Sequence, residues 1–357
     1  MDRIVAEAIR LVLEPVYEPT FHEASHGFRP KRSCQTAVAR AASFLEEGYE
    51  WVVDLDLERF FDRVHHQRLL ARLAQRVGDK PLLTLIDRML KARVVMPDGV
   101  VVSTDEGAPQ GSPLSPLLSN IVLDELDQEL AQRGHRFVRY ADDCNIYVRS
   151  ERAGHRVMES VVRFIEGRMR LLVNRSKSAV ALPESRHFLG FRLRREPLDG
   201  SVDVLLSKRS EERLDAKIRE LTPRTWGNSL DRCIQAINVY VIGWVGFFGI
   251  CTAGVQQALQ KRDAHIRTRL RAIQLRHWKR KGTMTRKLAQ LGVRYETAWR
   301  SIAGGRKSIW AQSHAYAAYT GMRPAYFAKR GLSSLEELWK ARSQHIIAPV
   351  QLLLPLG

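Results

Sequence analysis

The sequence predicts an α+β fold, in which hairpins interleaved with helices are followed by a mainly helical, basic region. Three observations predict it. "WVVDLDL" (51–57) alternates Val52, Asp54 and Asp56 with Val53, Leu55 and Leu57, the two-residue period of a half-buried strand. "ARVVMPDGVVVST" and "RFVRYADDCNIYVRS" each set two apolar runs around a turn containing Asp, Gly or Pro, which is how hairpins read. After Ser207 the pattern is mainly helical and basic, with a boundary expected near 205.

In chain order, apolar helices are expected over 1–16 and 34–47, then the strand at 51–57. Helices follow over His65–Arg76 and Leu82–Ala92, and then the Val-rich hairpin turning at Pro97-Asp98-Gly99. "GAPQGSPLSP" is a Gly/Pro/Ser loop, and "LLSNIVLDELDQEL" is the helix after it. The 136–150 hairpin, a helix near 152–170, strands at "SAVAL" and "FLGFRLR", and a turn at "PLDGS" complete the first part.

Composition narrows the function classes. Lys and Arg exceed Asp and Glu by 57 to 39, so the partner is a polyanion, nucleic acid before anionic membrane. Fifteen Lys or Arg stand against two acids, Asp263 and Glu296, between Ala258 and Ser308, which supplies +13 of the net +18. Cys34, Cys144, Cys233 and Cys251 have no CxxC spacing and read as reduced thiols of a cytoplasmic protein. The start has no signal-peptide pattern. The most apolar run, 239–250, is twelve residues long, short of the roughly 20 a membrane span needs.

The acidic pair Asp142-Asp143 stands out in this basic chain. Adjacent strand residues point to opposite faces, so both can serve one site only if a turn re-aims them. Taken alone, the pair reads more plainly as a solvated hairpin tip. Asp56, about 85 residues earlier at the end of an apolar strand, offers a third carboxylate. Three such groups from neighbouring strands suit Mg²⁺, and two ions about 4 Å apart can serve an in-line phosphoryl transfer.

The order "DLDLERFFDRV", "GAPQGSPLSPLLSNIVLDELD", "YADD", "VNRSKS", "FLGF" resembles the palm of reverse transcriptases. "SHGFRPKRSCQTAV", "LTPRTWGNSLDRCIQAINVYVIGWVGFFG" and "RTRLRAIQLRHWKRK" narrow the resemblance to bacterial group II intron-encoded proteins. It implies a right-hand polymerase: a remaining fingers segment at 1–50, a palm with an antiparallel sheet at 51–204, a helical thumb and maturase RNA-binding domain at 205–345, and a tail at 346–357. It assigns two Mg²⁺ to Asp56, Asp142 and Asp143, with the Leu57 carbonyl as an extra ligand. Asp54 falls outside the motif as a supporting residue.

The same resemblance gives Phe61 the exclusion of a ribose 2′-hydroxyl, although Phe60 and Phe61 could both be core. Gln110 and Gly111 would lie against nucleotide or template, and Lys177 near the triphosphate. Phe188, Leu189 and Gly190 would grip the primer. Implied partners are group II intron RNA, an RNA template with its DNA primer, deoxynucleoside triphosphates and target DNA. Two family features have no counterpart in the sequence: the basic amino-terminal part of the fingers and the Cys/His-rich endonuclease module. The alternatives are therefore a polymerase-inactive RNA-binding maturase, a truncated intron-encoded protein, or a domesticated reverse transcriptase of a defence or repair system.

In the basic region, Trp278, Trp299, Trp310, Tyr316 and Tyr319 are interleaved with Lys and Arg. The rings are expected to pack in a helical core. The charges, Arg267, Arg271, Lys279, Arg280 and Lys281 among them, are expected to bind RNA.

Overall fold

The computed structural model describes residues 3–91, 94–95, 101–102, 106–107, 111–223, 225–304 and 308–350. Side chains are described for these residues up to 343, except at 94–95 and 101–102. The chain divides into two compact units, Met1–Asp203 and Val204–Gly357.

The first unit is built on a four-stranded antiparallel sheet in the order β4-β5-β1-β6: β1 (Trp51–Leu55), β4 (Arg136–Tyr140), β5 (Asp143–Val148) and β6 (Ala179–Ala181). The period-2 pattern of β1 is realised in its packing. Val53 and Leu55 join Phe137, Ile146 and Val148 in a core with helices α5 (Ser115–Gln132) and α6 (Glu151–Phe164). On the opposite face Val52, Val138 and Tyr147 are also buried, and α2 (Cys34–Glu46) packs there, with Phe44 and Tyr147 5.6 Å apart. Serines begin both α2 and α6: Ser33 and Ser150 accept hydrogen bonds from Thr36 N and Ala153 N.

Helices α1 (Arg3–Tyr17), α3 (His66–Ala74) and α4 (Lys80–Leu90) complete this core through Ile9, Leu13, Leu69, Leu73 and Ile86. Strands β2 (Val94–Val95) and β3 (Val101–Val102) pair antiparallel, as the Val-rich hairpin requires, and its Pro97-Asp98-Gly99 turn lies outside the described residues.

Three expectations shift. The strand at 51–57 stops at Leu55, because Asp56 and Leu57 turn to bond the 172–174 segment. The helix expected to 170 ends at Phe164 and continues as a wider π turn over Ile165–Met169. "FLG" is a turn leading into β7 (Phe191–Arg195), which pairs with β8 (Val202–Leu206) around the "PLDGS" turn.

The second unit is helical: α7 (Lys208–Leu221), α8 (Leu230–Phe248), α9 (Val255–Trp278), α10 (Lys281–Gln290), α11 (Tyr295–Ala303), α12 (Ile309–Ser313), α13 (Tyr316–Gly321), α14 (Pro324–Ala328) and α15 (Leu335–Val350). The apolar run at 239–250 forms the second half of α8 and the turn after it, burying Val241, Trp244 and Val245. Among the described residues no helix is long and apolar enough to cross a membrane. Core packing does not hold for all the aromatics. Trp278 and Trp310 are half-buried, but Trp299, Tyr316 and Tyr319 are exposed. The short helices α11 and α13 bury one face each, and Ala298, Ile302, Ala317 and Ala318 occupy it.

Candidate active site

The site grows from the register of β1 against β5. Leu55 pairs with Cys144, so the next residues along, Asp56 and Asp143, stand at the adjoining ends of neighbouring strands. Asp142 precedes Asp143 in the two-residue turn Ala141-Asp142, which closes the β4–β5 hairpin after the Tyr140–Asp143 pair. Ala141 takes φ +55°, a left-handed conformation that an alanine keeps only where its surroundings hold it.

Those surroundings are a buried polar cluster that the motif reading missed. Arg139, fully buried, donates from Nη1 to the Ala141 carbonyl at 2.8 Å and to Asn120 Oδ1 at 3.0 Å. It also donates from Nη2 to Ser25 Oγ at 2.8 Å. Its remaining donors meet Asp127 on α5, itself fully buried, at 2.7 and 2.5 Å. Asn120 Nδ2 in turn donates to the Gly27 carbonyl at 2.8 Å. A Cβ on Gly27 would lie 2.3 Å from Ala141 N, so only glycine admits the loop this close to the turn. The sequence does not single these residues out: Asp127 stands among Asp124, Glu125 and Glu129, and Arg139 stands three residues after Arg136.

Asp56 is held from another side. Asn174 N donates to the Asp56 carbonyl at 2.8 Å, and Asp56 N donates to Ser178 Oγ at 3.0 Å. The same "VNRSKS" turn delivers Lys177, whose Nζ lies 3.7 Å from Asp56 Oδ2. Asp54 forms an ion pair with Arg186 at 2.7 Å, and Arg186 also donates to the Lys177 carbonyl. Burial nevertheless keeps the Asp54 carboxyl above its usual range.

Asp143 is pushed up to about 6, first by desolvation and then by the negative charges of Asp142, Asp54 and Asp56, with Lys177 pulling the other way. The residue as a whole remains exposed, while its carboxyl is partly desolvated and crowded by like charges. Among the described residues, no three His, Cys, Asp or Glu side chains are closed around a single point. The donor set of Asp56, Asp142 and Asp143 is all oxygen and anionic, which fits a hard divalent cation in kind.

The other predicted residues divide. Phe60 is buried against the core, whereas Phe61 packs on it edge to face at 5.4 Å and lines a cleft of about 420 Å³ with Phe28, Gly111 and Pro113. Gly111 has φ +84° and lies at that cleft. Gln110 lies outside the described residues. Gly107, earlier in the chain, is anchored: its N donates to Val64 O at 2.9 Å and its carbonyl lies 2.6 Å from His66 Nε2. The Leu57 side chain is buried and its backbone bridges to Val173. Phe188 and Phe191 exchange two backbone hydrogen bonds at 2.9 Å around Leu189 (φ +53°) and Gly190 (φ +89°). The Phe188 ring is buried, so that turn offers Leu189 and Gly190 rather than the ring.

Of the five basic residues assigned to RNA, Lys279, Arg280 and Lys281 are exposed and Arg267 is half-buried. Arg271 is a correction. It is 3% exposed, donates to the Met322 carbonyl at 3.0 Å and lies over the rings of Tyr319 and Phe327, out of reach of a phosphate. Desolvation lowers its guanidinium to about 10.

The reverse transcriptase (RNA-dependent DNA polymerase) family matches residues 1–193, and the group II intron maturase-specific domain matches 212–292. Protein YkfC of Escherichia coli is 32% identical over 55% of this chain and 61% of its own length. The group II intron-encoded protein LtrA of Lactococcus lactis is 34% identical over 51% of this chain and 29% of its own. The matched stretch thus spans less than two thirds of either relative. A telomerase from Candida albicans, solved with a fragment of telomeric RNA, aligns over 74% of this chain and 51% of its own at 13% identity, with a TM-score of 0.44. The palm-type sheet with its flanking helices and the two matched segments lead to one assignment: the chain belongs to the reverse transcriptase family and carries a group II intron maturase-specific domain.

Proposed function

We propose that this chain is an RNA-directed DNA polymerase of a group II intron, and that it also binds the intron RNA, assists its splicing and supports its insertion into target DNA. The observation that carries the polymerase reading is the meeting of Asp56 and Asp143 at adjoining strand ends, with Asp142 beside them. In the reaction, the primer 3′-hydroxyl gives up its proton to solvent as its oxygen bonds to the α-phosphorus of a deoxynucleoside triphosphate, and the α–β anhydride bond breaks to release pyrophosphate. Two bound Mg²⁺ would supply charge stabilisation at the attacking and leaving oxygens.

The chain's own residues set the geometry. Asp56, Asp142 and Asp143, with the Leu57 carbonyl, hold the ions, and the Arg139 cluster fixes the turn that carries two of them. Lys177 faces the triphosphate and offsets the charge of Asp56. Phe61 closes the sugar side of the nucleotide, while Gln110 and Gly111 lie along nucleotide and template. Leu189 and Gly190, propped by the Phe188 ring, position the primer end. Arg267, Lys279, Arg280 and Lys281 neutralise intron RNA phosphates, and the protein acts in the cytoplasm.

The test is metal-directed cleavage. Fe²⁺ in place of Mg²⁺, with peroxide and ascorbate, should cut the backbone near 56 and near 142–143, and Asp56→Asn should abolish both cuts. Cleavage elsewhere, or unchanged cleavage in the variant, contradicts the metal assignment. The rival reading is an RNA-binding maturase that does not polymerise. It predicts intron RNA binding without site-specific cleavage.

A further inference from the structure

The second unit carries aromatic side chains in a place that its folding does not explain. Of nine tyrosines and seven tryptophans in the chain, four are exposed: Tyr295 (57%), Trp299 (46%), Tyr316 (68%) and Tyr319 (60%). All four lie on α11 and α13. Tyr295 and Trp299 are four apart and Tyr316 and Tyr319 three apart, so each pair forms a row on one helix face. The opposite faces already bury Ala298, Ile302, Ala317 and Ala318. The two helices are joined where Ala317 N donates to Ser301 Oγ at 3.3 Å.

Tyr319 is also braced from within. The Arg271 guanidinium lies 4.9 Å from its ring centroid and is itself fixed by the Met322 carbonyl. A buried cation thus supports the inner side of a ring whose outer side is open. The surroundings are cationic and unpaired: Arg286, Lys287, Arg294 and Arg300 are exposed, and no ion pair joins any of them to an acid among the described residues. From 281 to 335 the sequence has one acid, Glu296.

We propose that α11 and α13 form a stacking platform for unpaired RNA bases, with these four cations tracking the phosphates. The proposal rests on the maturase reading and sharpens it: the RNA segment held here is a single strand or loop, not a duplex. Rigid flat rings stack on unpaired bases whatever their sequence, while bases inside a helix are not available to them. A protein partner would cover the rings but leave four cations without counter-charges, which phosphates provide.

Fluorescence anisotropy on the full chain tests it with two labelled probes: an unstructured RNA of about 16 nucleotides and a hairpin duplex RNA of equal charge. Tyr316→Ala/Tyr319→Ala should weaken single-strand binding by roughly tenfold or more while leaving duplex binding and the salt dependence unchanged. Tyr316→Phe/Tyr319→Phe should restore it, and Trp299 emission should be quenched by the single strand alone. Arg294→Ala/Arg300→Ala should flatten the salt dependence for both probes.

Equal affinities for the alanine variant and wild type overturn the platform alone, provided both bind RNA. Unchanged RNA binding with loss of self-association in sedimentation assigns the rings to a protein contact and likewise overturns it. A DNA strand of the same sequence bound in preference to RNA overturns the choice of nucleic acid. Failure of wild type to bind either RNA overturns the maturase reading itself.

Discussion

Arg139 and Asp127 form an ion pair with no solvent access on either side, and the same guanidinium holds the Ala141 carbonyl of the turn that carries Asp142 and Asp143. Breaking such a pair leaves a charge buried without its partner, which costs about 3–5 kcal/mol. Asp127→Asn should therefore lower stability by an amount near that range in denaturant unfolding and remove primer extension. Replacing both partners with apolar residues, Arg139→Met/Asp127→Leu, should recover most of the stability, because both desolvated charges are gone. Extension should stay low in this double variant, since nothing then holds Ala141. Full activity in the double variant would show that the pair supports the fold and not the turn.

Phe61 lines the cleft while Phe60 fills the core, so the two adjacent rings have separable roles. Phe61→Ala should admit ribonucleotides more readily, with deoxy-over-ribo discrimination in kcat/KM falling roughly 10- to 200-fold. The loss of stability should be about 2 kcal/mol, below that for a fully buried ring. Single-nucleotide incorporation with dGTP and GTP measures this, and unchanged discrimination contradicts the assignment.

His26 gives the fold a pH dependence. Desolvation, reinforced by Arg32, Arg29, Arg40 and Arg139, holds its imidazole down at about 4 against an ordinary 6.5. Nδ1 is 2.9 Å from Thr36 Oγ1, and Nε2 has no hydrogen-bond partner among the described residues. Between those two values the unfolded chain binds a proton that the folded chain refuses. Stability should therefore fall as pH drops from about 6.5 towards 4, and this penalty is absent above 6.5. His26→Gln should flatten the fall, as read by urea unfolding at pH 7.5 and pH 5. Identical pH dependence in variant and wild type contradicts it.

How much of this was legible in the sequence depended on whether the signal was local. The alternation of 51–57 located β1, and the turn residues located three hairpins, because period and turn chemistry act over a few neighbours. The three aspartates followed from motif order. What the sequence did not disclose was long-range. That Asn174 and Ser178 hold the Asp56 backbone, and that Ser25, Asn120 and Asp127 converge on Arg139, depends on contacts spanning up to 122 residues. Composition also misled on the basic region. Arg271 looks like its neighbours in sequence yet is buried, because α9 turns that position inward to Tyr319 and Phe327. Tyr316 and Tyr319 look like core and are exposed, because smaller residues fill the inner face of α13.

The measurement that bears most directly on the central claim is primer extension on an RNA template with Mg²⁺ and deoxynucleotides, run for wild type and Asp142→Ala beside an assay of intron RNA binding and splicing. The account predicts extension by wild type and none by Asp142→Ala, with intron binding and splicing largely intact in both. Extension that survives Asp142→Ala would contradict the assignment of the site, and a wild type that binds intron RNA but never extends a primer would contradict the polymerase itself.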